Sequence, residues 1–185
     1  MPRWFFGKRM AHVGSIAAHL LDIALQLTFL FCVCSAIVID FRTLLIPNWI
    51  SLALIAAFAL FAIFHLAPGA LGGHLLIMAL ILALSIVFFL AGWIGGGDVK
   101  FLSVIALWMG PGHVAPFVML MAVLGAALAT SLLFVRRHPV LADQRMRKFW
   151  FVGRMAELAD AGQCPYGVAI GVAALFAAPG VFGLR

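Results

Sequence analysis

The stretch Gly95-Gly96-Gly97-Asp98-Val99-Lys100 decides the organisation of this chain. A long apolar run leads into it and another leaves it, so Asp98 lies at the boundary of two hydrophobic segments, where a carboxylate is costly to place. The glycines before it leave the backbone free to take positive φ and let another segment approach closely. The stretch therefore predicts an open backbone that presents one acid at or inside a membrane boundary.

The composition is typical of a polytopic membrane protein. The 185 residues are 66% hydrophobic and 10% charged, with a mean hydropathy of +1.20, which is far more apolar than a soluble domain of this size. The formal charge of +6 comes from basic residues clustered between apolar runs, and no aromatic-rich basic patch indicates a nucleic-acid partner. The three cysteines form no CxxC pair, so neither a zinc site nor a disulfide framework is expected.

The apolar runs predict an all-α fold of about six transmembrane helices, with a glycine-rich break before a short fourth helix. The predicted spans are 20–39, 49–66, 74–94, 99–110, 114–135 and 165–182. Residues 1–19 form an N-terminal tail suited to the membrane surface, 20–182 form the membrane domain, and 136–164 form a basic loop within it. The fourth span would be roughly 18 Å long against a hydrocarbon core of about 30 Å. Asp98 should therefore lie below the surface, or the glycine stretch should line a wet cavity.

The distribution of positive charge predicts the orientation. The turns 67–73 and 110–113 carry no Lys or Arg, whereas the opposite side carries Arg42, Lys100 and a basic loop. The basic residues of that loop are Arg136, Arg137, Arg145, Arg147, Lys148 and Arg154. We therefore expect the loop to be cytoplasmic and both chain ends to lie outside, although the N-terminal tail is itself basic.

The chain has six acidic residues, and two of them qualify for chemistry. Those in the basic loop are expected to form a charge-balanced surface: Asp143, Glu157 and Asp160. Asp22 is expected to begin a helix, where the dipole favours an acid, at the face opposite Asp40. Asp40 and Asp98 each end an inward-running span, so they should meet at the cytoplasmic face.

A pair of carboxylates points to hydrolysis. Two carboxylates held close together cannot both ionise easily, so one keeps a proton. One member can then activate water while the other protonates the carbonyl or the leaving amine. This is the chemistry of an aspartic peptidase, which needs no metal and no cofactor.

Pro47 pushes the preceding residue out of helical geometry, and Asn48 is a good N-cap for the next helix.

Three motifs at the ends of three spans carry a resemblance to a known family. They are Asp-Phe-Arg-Thr-Leu-Leu-Ile-Pro-Asn from Asp40, Gly-Gly-Gly-Asp-Val-Lys-Phe from Gly95 and Pro-Tyr-Gly-Val-Ala-Ile from Pro165. Together they resemble the prepilin peptidases, which are type IV leader peptidases among the GxGD aspartic proteases, over about 20–182. The resemblance implies that Asp40 and Asp98 form a catalytic pair that cleaves a prepilin leader at the cytoplasmic face of the bacterial inner membrane. The residues expected to shape the site are Gly95, Gly97, Lys100, Arg42, Pro47, Asn48, Pro165, Tyr166 and Gly167.

The resemblance also has a limit, and other functions compete with it. Larger family members carry an N-terminal domain with paired CxxC motifs and methylate the product. This sequence has no CxxC and looks like the short branch that processes Flp-type prepilins, so methyl transfer is not expected. The alternatives are a presenilin-like protease, a small transporter that uses Asp40 and Asp98 for proton or cation coupling, and a non-catalytic assembly subunit. The basic loop is expected to contact anionic membrane lipid or to help dock a substrate or partner.

Overall fold

The computed structural model describes residues 3–137 and 150–183 of the chain. These residues form the helices α1 Arg3–Thr43, α2 Asn48–His65, α3 Ala70–Leu90, α4 Gly96–Arg137, α5 Trp150–Ala161 and α6 Tyr166–Val181. Four segments are long and apolar enough to cross a membrane: Ile16–Thr43, Asn48–His65, Ala70–Leu90 and Gly96–Arg137. Helix α6 is apolar but shorter. The expectation of an all-α polytopic membrane protein is therefore confirmed.

The longest helix, α4, contains two of the predicted spans. Gly110 interrupts it with φ 57° and ψ −171°, and a positive φ of this kind favours glycine. Asp98 and Gly125 line the same cavity, although a straight helix would separate them by roughly 40 Å. The helix therefore reverses at Gly110, and its halves, 96–109 and 111–137, lie side by side. The turn predicted over 110–113 is therefore a single non-helical residue rather than a loop.

The short first half of α4 is the buried centre of the protein. All residues from 103 to 110 are buried. The Trp108 indole N–H donates a hydrogen bond to the Leu54 carbonyl oxygen at 3.1 Å, and its ring centroid lies 5.1 Å from that of Phe29. Because this segment is surrounded by protein rather than lipid, it can be shorter than the membrane is thick.

Helix α6 packs against both α1 and α4. A Cβ atom added at Gly171 would collide with the Ile37 side chain of α1, so glycine permits the close approach of the two helices. On the other side, a Cβ atom at Gly125 of α4 would lie 3.9 Å from the Ala169 methyl group. This packing brings the start of α6 to the ends of α1 and α4 that carry the two acids.

The predictions for Asp22 and for the backbone of the glycines before Asp98 are wrong. Asp22 lies inside α1 rather than at a helix start, and its Oδ1 atom lies 2.9 Å from His65 Nε2, which pairs it with α2 instead of a helix dipole. Positive φ does not occur at the glycines before Asp98, because the break uses Gly92, with φ 75°, and α4 has begun by Gly96. Helix α1 runs across residue 20 without interruption. The division into a tail and a membrane domain therefore stays a prediction, and residues 138–149 of the basic loop lie outside the described residues.

Candidate active site

Asp40 is a buried carboxylate near the end of α1. Its side chain is only 2% exposed. The backbone N–H of Val168, in the first turn of α6, donates a hydrogen bond to Asp40 Oδ2 at 3.2 Å. A Cβ atom at Gly167 would lie 2.8 Å from the Asp40 carboxyl carbon. Since real Cβ atoms do not approach other atoms so closely, only glycine lets the α6 backbone come this near to the acid.

Asp98 lies in the first turn of α4. The Gly95 backbone N–H donates a hydrogen bond to Asp98 Oδ2 at 3.2 Å. The other carboxyl oxygen, Oδ1, is buried and has no hydrogen-bond partner among the described residues. A buried polar atom without a partner is costly. A proton on the carboxyl group, a water molecule or a group on a bound substrate would satisfy it.

The two acids meet at the start of α6. Their carboxyl groups interact electrostatically, and the Gly167 backbone amide lies close enough to both carboxyl groups to affect each of them. The N-terminus of a helix is the positive end of its dipole and stabilises negative charge. The site thus combines two carboxyl groups with backbone donors. In the described part of the chain, no three His, Cys, Asp or Glu side chains are grouped as metal ligands.

A cavity of about 420 Å³ opens beside Asp98, bounded by α3, both halves of α4 and the start of α6. Asp98 is the only charged residue among the described residues that line it, and most of the others are aliphatic or aromatic. Ser85 and Tyr166 add two hydroxyl-bearing side chains. Asp98 is therefore open to an apolar ligand segment, whereas Asp40 is almost completely enclosed by protein.

The glycines beside Asp98 allow close approach rather than unusual dihedral angles. A Cβ atom at Gly97 would lie 3.2 Å from the Ile46 backbone nitrogen and 3.3 Å from its carbonyl oxygen. A Cβ atom at Gly95 would lie 3.2 Å from Asp98 Oδ2. The middle glycine, Gly96, has its nearest neighbour, an atom of Phe89, at an ordinary 3.5 Å. Gly97 thus seats the connection from α1 to α2 against α4.

Four other predicted site residues contact groups other than the two acids. Lys100 Nζ donates a hydrogen bond to Asn48 Oδ1 at 2.9 Å, and the Arg42 guanidinium lies 5.4 Å from the centre of the Trp150 ring. Both bases are therefore engaged elsewhere than with the acids. The prediction that Asn48 caps α2 is wrong, because Pro47 takes the N-cap position and forms no side-chain hydrogen bond there. Asn48 instead joins α2 to α4 through Lys100.

Two features near the acids were not predicted from the sequence. Within the basic loop, α5 docks on the end of α1, where Arg154 Nε donates a hydrogen bond to the Phe41 carbonyl oxygen at 2.9 Å and the Phe41 and Phe151 rings stack 5.4 Å apart. The apolar face of α5 could have predicted this helix from the sequence; its buried residues are Met155, Ala156, Leu158 and Ala159. Between α5 and α6, burial and then the negative charges of Asp40 and Asp98 raise the pKa of the Cys164 thiol to about 11. No sequence pattern places this thiol near the acids.

Comparison with known proteins identifies one family. Residues 27–130 match the model of the type IV leader peptidase family. The matched stretch contains both acids and the glycines before Asp98, and it ends before α5 and α6. No curated protein and no solved structure matches the chain. The family match favours the peptidase over the transporter and the presenilin-like alternatives.

Proposed function

We propose that this chain, which belongs to the type IV leader peptidase family, is a prepilin peptidase with Asp40 and Asp98 as its catalytic pair. Its substrates are Flp-type prepilins, and it cleaves their leader peptides at the cytoplasmic face of the bacterial inner membrane. The observation that carries the proposal is the Gly167 amide, which lies close to both carboxyl groups. That arrangement joins the ends of three helices around two acids that are distant in sequence.

The pair acts by acid and base catalysis on a water molecule. The ionised carboxylate takes a proton from water, whose oxygen attacks the carbonyl carbon of the scissile peptide bond while the protonated carboxyl group donates to the carbonyl oxygen. The tetrahedral intermediate then collapses, the C–N bond breaks, and the leaving nitrogen receives a proton from the pair. One proton shared between two acids is enough for both steps. The positive end of the α6 dipole stabilises the negative charge of the pair.

The surroundings of the pair suit an extended, partly apolar substrate. A peptide bond within a helix is shielded by its own turn, so the scissile bond must lie extended against the acids. The cavity beside Asp98 accepts the apolar residues next to that bond, and Tyr166 lies on its wall. Gly95 leaves the Asp98 carboxylate uncovered, and Gly97 lets the connection from α1 to α2 pack against α4. Pro165 with Gly167 sets the approach of α6. Arg42, Pro47, Asn48 and Lys100 position the connection between α1 and α2.

Leader cleavage in membranes tests the proposal. A Flp-type prepilin is mixed with membranes containing the full chain, and the shortened product is measured on a gel at matched levels of membrane protein. The same reaction with a labelled methyl donor tests the expectation that the product is not methylated. Asp40→Asn and Asp98→Asn should each abolish cleavage, because the two acids work as a unit. Asp22→Asn, which removes an acid paired with His65 instead, is the matched control and should cleave normally. Cleavage by either of the first two variants, or equal loss in all three, would overturn the assignment.

A further inference from the structure

A second, separate cleft lies between α2 and α3. These helices both pack against α4 but make few contacts with each other. The gap holds an inner cavity of about 430 Å³ beside Asn48 and Lys100 and an outer cavity of about 530 Å³ that reaches Ile63 and Leu71. Ile55 and Met78 line both cavities, so the two join into one groove, the α2–α3 cleft.

The cleft is polar at its inner end and apolar along the rest of its length. Lys100 uses one of its three N–H donors on Asn48, which leaves two free for another acceptor. Ser51, which also lines the inner cavity, is 7% exposed, and its hydroxyl group forms no hydrogen bond with another described residue. The N-terminus of α2 adds the positive end of its dipole at the same place. Further out, the lining is aliphatic and aromatic.

The charges separate this cleft from the active site. Of the described residues that line the α2–α3 cleft, Lys100 alone is charged, whereas the cavity of the active site has Asp98 alone. Lys100 follows Asp98 by two positions on α4, which turns their side chains to different sides of the helix. The cleft therefore presents a cation and unused donors to a ligand that must be anionic at one end and apolar beyond it.

The dimensions favour a lipid chain over a helix. From Asn48 to Ile63 the cleft runs roughly 22 Å along α2, which exceeds the thickness of one leaflet of the hydrocarbon core, about 15 Å. Only the four residues 66–69 connect α2 to α3, so the two helices stay side by side at the outer end of the cleft. A transmembrane helix about 10 Å across cannot pass between them there, whereas an acyl chain can lie along the groove.

We propose that the α2–α3 cleft binds an anionic phospholipid of the cytoplasmic leaflet. Its phosphate accepts hydrogen bonds from Lys100 and Ser51 at the inner end, and one acyl chain lies along the groove past Ile55 and Met78. This site does not depend on the peptidase proposal, because its ligand and its charge differ from those of the acids and its lining faces the gap between α2 and α3. It couples the lipid to the Lys100–Asn48 contact that joins α2 to α4.

Retention of phosphatidylglycerol by the purified full chain tests the site. The protein is placed in nanodiscs of phosphatidylglycerol and phosphatidylcholine, released into mild detergent, and the bound lipids are counted by native mass spectrometry. Lys100→Gln should reduce retained phosphatidylglycerol about fivefold, the effect of one basic residue on an anionic lipid. Lys100→Arg, which keeps the charge, should retain it. Arg136→Gln is the matched control, since it removes a positive charge near the same face but outside the cleft.

A second pair of variants tests the acyl chain. Met78→Trp fills the point where the two cavities join, and it should lower retained phosphatidylglycerol without changing the monodispersity of the protein. Leu80→Trp adds the same ring on the same helix at an exposed position outside the cleft and should have no effect. Full retention by Lys100→Gln or by Met78→Trp would overturn the proposal. The proposal would also be overturned if Met78→Trp kept its lipid but lost a co-purified protein helix or a second copy of the chain.

Discussion

The α carbon of Gly167 is held so close to Asp40 that a side chain there would lie 2.8 Å from the carboxyl carbon. The same backbone that makes this approach also carries the next N–H, from Val168, to Asp40 Oδ2 at 3.2 Å. Close packing and hydrogen bonding are thus two consequences of one glycine. The position of α6 relative to α1 is therefore set at the buried acid itself.

Gly167→Ala is expected to impair cleavage severely while leaving the protein in the membrane. The added methyl group would also lie 2.7 Å from the Ile46 side chain, so α6 must shift away from Asp40. A shift of about 1 Å in a catalytic group can cost on the order of 100-fold in rate. The rate of leader cleavage at matched protein levels measures the effect. Gly72→Ala, at a helical glycine with no atom within 4 Å of the added carbon, is the control, and near-normal cleavage by Gly167→Ala would show that α6 does not position Asp40.

The glycines before Asp98 should differ in their tolerance. Gly97→Val places a branched side chain against the Ile46 backbone and should lose cleavage almost as fully as Asp98→Asn. Gly95→Val should behave similarly, because the added carbon lies 3.2 Å from Asp98 Oδ2. Gly96→Ala should be mild, since its nearest neighbour lies at an ordinary contact distance. If Gly97→Val cleaves at a near wild-type rate, the stretch is only a linker and close approach at Gly97 is irrelevant to the site.

The sequence predicts the class of fold and the approximate positions of the apolar helices because membrane crossing imposes simple rules. Apolar runs of about 20 residues must be helical, and a carboxylate at such a boundary stands out. A turn over 110–113 between two apolar runs was predicted, and the reversal at Gly110 falls within it. That this segment is the buried centre of the protein could not be predicted, since lipid and protein interior both select apolar residues.

Contacts between distant residues were beyond the reach of sequence reasoning. The pairing of Asp22 with His65 depends on how α1 and α2 rotate against each other, and hydropathy does not encode that rotation. The hydrogen bond from Val168 to Asp40 is made by the backbone, which every residue shares. Helix α5 was not predicted because it is short and its apolar residues lie within a stretch of charged residues. Only the resemblance of the Pro-Tyr-Gly motif connected α6 to the acids.

Arg154 should stabilise the end of α1 and therefore the position of the Asp40 side chain. Its Nε donates to the Phe41 carbonyl oxygen, and loss of such a charged donor costs about 1–3 kcal/mol. Arg154→Met should lower the melting temperature in detergent and reduce cleavage. Glu157→Gln should change the melting temperature and the cleavage rate little. Its ion pair with Arg154, at 3.1 Å, is exposed on the Glu157 side, and exposed ion pairs contribute little to stability. Equal melting temperatures for Arg154→Met and the wild type would mean that α5 docks without stabilising α1.

The reactivity of Cys164 should report on the two acids without any substrate. Because burial and the charges of Asp40 and Asp98 raise the pKa of this thiol to about 11, it is almost entirely protonated near pH 8, and alkylation, which requires the thiolate, should be slow. In a chain with Cys32 and Cys34 replaced by alanine, Asp40→Asn or Asp98→Asn removes one negative charge and should lower the pKa of Cys164. The alkylation rate at a fixed pH below that pKa should then rise, and the midpoint of its pH profile should move to lower pH. Asp22→Asn should leave the profile unchanged. Because burial also raises the pKa of Cys164, a variant that loosened the structure would lower it too, so each acid variant must first show the melting temperature of the parent chain in detergent. An unmoved midpoint in both acid variants would therefore contradict the placement of Cys164 beside the pair.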